Sequence, residues 1–141
     1  MVCMKQKKNN QNIDTLFVVE GYMDVIALYE NGIKNAVASL GTAITGLHIS
    51  KLMRYAKQIY VTFDGDLAGR KAAWRAVENA LPILREDIKM SFIFLDEGQD
   101  PDSYVNENGK DEFLKLTNKS IPLSEFFIQT LKDKDNLDSL E

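Results

Sequence analysis

Carboxylates recur along this chain at intervals that a parallel sheet would bring together. Glu20 follows the apolar run TLFVV (Thr15 to Val19), and Asp24 lies one helical turn beyond it. Asp64 and Asp66 follow QIYVTF (Gln58 to Phe63) in the turn DGD, and Asp100 and Asp102 follow IKMSFIFL (Ile88 to Leu95) in DPD. Taken singly, each motif has an ordinary reading. A strand-terminal glutamate is usually solvated, DGD suits a tight turn, and DPD suits a helix start with proline at its first position. Taken together, they would crowd one edge with negative charge. Two carboxylates about 4 Å apart repel by roughly 4 kcal/mol at an effective dielectric of about 20. A hard divalent cation relieves such repulsion, and every candidate ligand here is an oxygen.

Other residues could serve the same edge. SLGTA (Ser39 to Ala43) is a small, glycine-containing turn whose backbone N–H groups, at Gly41 and Thr42, suit a phosphate. Arg70 and Lys71 stand in the first turn after DGD. Cations there oppose the helix dipole, which costs some tenths of a kcal/mol, so an anion beside the acids is the expected partner. Tyr22 and His48 read as packing or surface residues, and Trp74 as core.

These positions make sense only if strands and helices alternate. The short apolar runs at 15–19, 36–40, 58–63 and 88–95 read as strands buried on both faces. Between them, YMDVIALYEN carries Val25, Leu28 and Tyr29 at helical spacing with Gly32 where a C-cap belongs. A second helix spans 45–56 with Thr45 as N-cap, and a third begins near Ala68, with Trp74, Val77, Leu81 and Leu84 on one stripe and Pro82 ending or kinking it. Short helices over 101–107 and 110–116 and an amphipathic PLSEFFIQTL follow. The alternation predicts an α/β fold: a mainly parallel four-stranded sheet with helices on both faces, then C-terminal helices. Chemistry in such sheets gathers at the carboxyl ends of the strands, where the acids stand.

Composition bounds the function. With 141 residues, 45% hydrophobic and 27% charged, the chain is one domain of soluble type. A lone Cys3 and a lone His48 exclude an internal disulfide and a thiolate or histidine metal cluster. No apolar run reaches the length of a membrane span, and a cytosolic setting is expected. The net charge of −4 runs against a domain that grips nucleic acid alone. Residues 1–14 read as a polar arm or linker, since KQKKNNQNIDT (Lys5 to Thr15) is polar, basic and free of apolar periodicity.

VVEGYMDVIAL, ASLGTAIT, VTFDGDLAGRKAAWRA and DPDSYV, in this order and spacing, resemble the toprim core of bacterial DNA primases of the DnaG type. The resemblance covers about Leu16 to Leu131 and implies a toprim domain over 15–118, with 119–141 starting a following helical region. It implies a nucleotidyltransferase that joins ribonucleoside triphosphates into short RNA primers on single-stranded DNA. Catalytic Mg²⁺ or Mn²⁺ would be held by Glu20, Asp64 and Asp66, with Asp24, Asp100 and Asp102 assisting. It further implies that a zinc module, a basic template-binding subdomain and a region that meets the replicative helicase belong to polypeptide outside these residues. The acid pattern alone also fits other toprim proteins, such as topoisomerases, nuclease cores or non-catalytic modules. A haloacid-type hydrolase or a receiver domain would carry its aspartate pair at the first strand, not the third.

Overall fold

The computed structural model describes residues 2–3, 14–39 and 44–139, with side chains described over 14–39 and 44–134. Four parallel strands form its centre: β2 (Thr15–Val19), β3 (Ala36–Ala38), β4 (Gln58–Asp64) and β5 (Lys89–Leu95). Their spatial order is β3-β2-β4-β5, and Val18 pairs with both Val37 and Val61. Central β2 is therefore covered on both faces, which is why it reads as an unbroken apolar run and not as an alternating one.

The alternation survives in where each side chain goes. Leu16 and Val18 join one core cluster with Ile49, Val61, Phe63, Val77 and Phe92, under α2 (Gly46–Met53) and α3 (Leu67–Ala80). Phe17 and Val19 join the other, with Val25, Leu28, Ile93, Val105 and Phe113. That second layer is built by α1 (Tyr22–Glu30), α4 (Pro101–Asn108) and α5 (Lys110–Lys115). Successive strand residues point to opposite faces, so one five-residue strand feeds both cores.

Two edges depart from the expected four strands. Val2–Cys3 (β1) pairs antiparallel with β3, and Ile121–Pro122 (β6) pairs antiparallel with β5, giving a six-stranded sheet. The reading of residues 1–14 as an arm is thus corrected at Val2 and Cys3, whose backbone groups take up the outer edge of β3. Residues 4–13 lie outside the described residues, as does Leu40 at the expected end of the second strand. After the 3₁₀ turn Leu116–Lys119, α6 (Leu123–Ser139) lies against the α3 face, with Leu123 and Phe126 buried in the first cluster.

Helix ends follow their residues. Thr45 caps α2: the His48 N–H donates to Thr45 Oγ1 (3.2 Å), and the Thr45 N–H donates to His48 Nδ1 (3.2 Å). Helix α3 ends at Ala80, two residues before Pro82, and Leu81 is half exposed instead of joining the apolar stripe. Trp74 is half-buried, stacked on Phe127 with ring centroids 5.8 Å apart. Among the described residues no helix is long and apolar enough to cross a membrane.

Candidate metal centre

Glu20 is the first residue beyond β2, exposed and aimed over the carboxyl edge of the sheet. Asp24 belongs to the first turn of α1 and is buried, an unusual place for a carboxylate. Backbone donors hold it there. The Gly21 N–H donates to Asp24 Oδ2 (3.3 Å), and the Asp102 N–H donates to Asp24 Oδ1 (3.0 Å).

Asp64 is the last residue of β4, and Asp66 is the N-cap of α3, with the Gly69 N–H donating to Asp66 Oδ1 (2.7 Å). The turn between them has no room to spare. A Cβ on Gly65 would strike the Leu95 carbonyl oxygen, and a Cβ on Gly69 would strike the Asp64 carbonyl oxygen. The glycines of DGDLAG therefore let the helix start pack directly onto the end of its own strand, which points the Asp64 side chain at the edge. Across β5, Asp100 caps α4 by accepting from the Ser103 N–H (2.8 Å).

Five of the six predicted acids meet in one cavity of about 670 Å³: Glu20, Asp24, Asp64, Asp66 and Asp100. Gly21, Gly98 and Gln99 complete its lining. Sequence reasoning missed Gln99, whose position in the turn after β5 was the available signal. Asp102 does not line the cavity; it contributes its backbone N–H to Asp24, while its carboxylate accepts from Asn106 Nδ2 (2.7 Å). Gly41 and Thr42 lie outside the described residues.

Arg70 and Lys71 are placed elsewhere. The Arg70 guanidinium lies 4.7 Å from the Phe94 ring centroid, and both residues line a separate groove between α3 and α6. The expectation sets them beside the acids; here they line the groove between α3 and α6 and not the acidic cavity. The cation that does share a cavity with Glu20 is Arg75, in a recess of about 240 Å³ that also includes Ser39 and Thr62. Arg75 falls about one turn past Lys71, so helical spacing alone could have proposed it.

Electrostatics agree with an edge short of positive charge. Burial raises the Glu20 carboxyl above its ordinary pKa, and repulsion from Asp64, Asp24 and Asp66 adds to the rise. Asp64 is raised by burial, then by Asp66 and Asp100. Asp24 is raised chiefly by burial, while its two backbone donors pull the other way. The ion pairs among the described residues, Arg85–Asp87 and Lys115–Glu112, lie elsewhere.

Among the described residues no three of these groups already converge as ligands on one point. The donor set nonetheless fits a hard divalent cation: it is all oxygen, it stands on rigid element ends, and its charge is unmatched. Exposed Glu20 and half-exposed Asp64 have rotamers through which to close on an ion.

Comparison with known proteins agrees with this fold. A family model described as Toprim-like matches residues 17–105. The chain is 52% identical over 126 residues to a DNA primase of Pseudomonas aeruginosa, covering 89% of this chain and 19% of that protein. It is 54% identical over 127 residues to a DNA primase of Neisseria meningitidis, covering 89% of this chain and 22% of that one. Among solved structures, a DNA primase domain from Pseudomonas aeruginosa superposes with a TM-score of 0.85 at 50% identity, over 91% of this chain and 40% of that one. A DnaG primase catalytic domain bound to ssDNA superposes with a TM-score of 0.86 at 44% identity, over 91% and 41%. The chain thus spans about a fifth of the length of the curated primases it matches. On a family match over residues 17–105, most of its length, the chain belongs to the Toprim-like family.

Proposed function

We propose that this chain is the metal-binding catalytic core of a DNA primase, which joins ribonucleoside triphosphates into a short RNA primer on a single-stranded DNA template. The observation that carries the reading is the meeting of Glu20, Asp24, Asp64, Asp66 and Asp100 in one cavity that no cation lines among the described residues. Likeness to primases over most of the chain supports this reaction for the cavity.

Glu20, Asp64 and Asp66 are the residues that would hold Mg²⁺ or Mn²⁺, with Asp24 and Asp100 beside them. When bound, such ions lower the pKa of a primer 3′-hydroxyl and neutralise charge on the triphosphate. The chain's own residues do the positioning. Asp24, fixed by two backbone donors, braces α4 and with it Asp100. Arg75, sharing a recess with Glu20, is the described cation placed to meet a phosphate beside the acids. The turn at Gly41 and Thr42 is proposed to add backbone donors.

Template affinity belongs, in this reading, to basic polypeptide outside these 141 residues, because the chain carries 17 basic against 21 acidic residues. Contact with the replicative helicase, any structural zinc and action in the cytoplasm are proposed on the same likeness. The test is a graft. Replacing the matching segment of the Pseudomonas aeruginosa primase with this chain should preserve primer synthesis, and Asp64→Asn in the graft should abolish it. A folded graft that binds Mn²⁺ but makes no primer would overturn the reading.

A further inference from the structure

The groove between α3 and α6 has a composition unlike the rest of this acidic chain. Its cavity measures about 480 Å³, with Leu67, Trp74 and Phe126 as apolar lining. Arg70, Lys71, Arg75 and Lys134 stand around it and are all exposed. Two carboxylates, Glu78 and Asp133, share the lining, yet neither forms an ion pair with these cations among the described residues. An excess of cations therefore rims an apolar floor, on a chain whose net charge is −4.

Two chemistries suit a basic rim: a nucleic acid strand, or an acidic peptide. Sequence-tolerant binding of single strands relies on aromatic faces on which bases stack. Those faces are taken here. Trp74 lies nearly parallel to Phe127, 7° between planes, and Lys134 Nζ is 4.4 Å from its ring centroid. Phe126 is buried and packs its ring against Phe92 and Phe94. What the floor does offer is an apolar recess, with Leu67 70% exposed at one end. A large side chain flanked by carboxylates matches both parts: the side chain fills the recess and the carboxylates meet the rim.

We propose that this groove docks an acidic peptide segment carrying one large aliphatic or aromatic anchor, supplied by a partner protein. The groove contains none of the metal-centre acids, shares only Arg75 with the recess beside Glu20, and the proposal does not depend on the primase reading.

Trp74 is the chain's single tryptophan, so its emission reports on the groove directly. The 141-residue chain is titrated with the synthetic hexapeptide EELFEE, with the anchorless EEAAEE, and with single-stranded oligothymidylate. The expected result is a saturable change in Trp74 emission with EELFEE, at least about tenfold weaker with EEAAEE. A Lys71→Glu, Lys134→Glu double variant should weaken EELFEE by at least about tenfold, and its circular dichroism should match the wild type, since both residues are exposed. Leu67→Glu, also at an exposed position, should weaken it as well and serves as a second variant. The proposal is overturned by no saturable response to EELFEE, by equal affinity for EEAAEE, or by indifference to all these variants. Tighter binding of oligothymidylate, weakened by the same substitutions, would overturn it in favour of a nucleic acid groove.

Discussion

The Asp102 backbone N–H donates to Asp24 Oδ1 at 3.0 Å, across 78 residues of sequence. One hydrogen bond thereby joins the first turn of α4 to the first turn of α1 at the acidic edge. Asp24 Oδ2 meanwhile accepts from Gly21, so both oxygens of a buried carboxylate serve backbone donors.

Asp24→Ala should therefore cost stability as well as metal affinity. Losing the acceptor leaves two N–H groups without it, and helix-terminal acceptors of this sort contribute about 1–2 kcal/mol. Urea unfolding without divalent cations measures the first effect. An unchanged midpoint would show that water replaces the carboxylate at no cost.

Asp64 lacks Asp24's backbone donors among the described residues, so there its raised pKa alone sets the sign. Its folded-state pKa is raised by burial and by its acidic neighbours above the ordinary 3.8. A carboxyl raised in this way stabilises the fold below its unfolded pKa, and that contribution is lost as pH rises through the folded value. At neutral pH without metal, the charged Asp64 is a liability. Asp64→Asn should raise the metal-free urea midpoint at pH 7, and the gain should shrink as pH falls toward 4. With Mn²⁺ added, the order should reverse, because only the wild type keeps its full ligand set and gains by mass action. A variant that is no more stable than wild type in chelator at pH 7 would contradict the raised pKa.

Gly69→Ala tests the turn that aims Asp64. Its new Cβ would strike the Asp64 carbonyl oxygen, a backbone atom that cannot swing aside. A destabilisation of about 3 kcal/mol is expected, at the upper end for overpacking. The thermal shift with Mn²⁺ should fall as well. At Gly98, with φ +85 and nothing within 4 Å, alanine should cost about 1 kcal/mol through backbone strain alone.

Single-stranded DNA should bind this chain weakly, and the chain by itself should make no primer with Mg²⁺ and all four ribonucleotides. Its acids gather at the cavity that would meet the strand, and few cations lie beside them. Gel analysis of products on a single-stranded template decides the matter; a primer yield matching that of a full-length primase would refute this view of the charge balance.

The acidic edge was legible in the residues because a parallel sheet puts every strand's carboxyl end on one side. Glu20, Asp64 and Asp100 needed only the right strands before them. Asp102 was chosen for its carboxylate, whereas the molecule uses its N–H at this site, and no residue type announces that role. Arg70 and Lys71 stand on the expected turn of α3 and line the groove it forms with α6. What covers the side of α3 that carries them is α6, from far along the chain, and that is a long-range packing outcome. The edge strands Val2–Cys3 and Ile121–Pro122 are too short to show any period.

Those two short edges have a consequence for how copies of the molecule behave toward each other. A long, flat, apolar edge strand templates the addition of further strands and so invites aggregation. Here the outermost strand on each side is only two residues long, and on one side the last position is Pro122, which has no N–H to offer. Among the described residues these short strands pair with β3 at Val37 and Ala38 and with β5 at Ser91 and Phe92, and offer little edge of their own to a neighbour. Removing Val2 and Cys3 would uncover the flank of Ala36–Ala38, three buried residues of β3 whose backbone groups would then face solvent and any neighbouring chain.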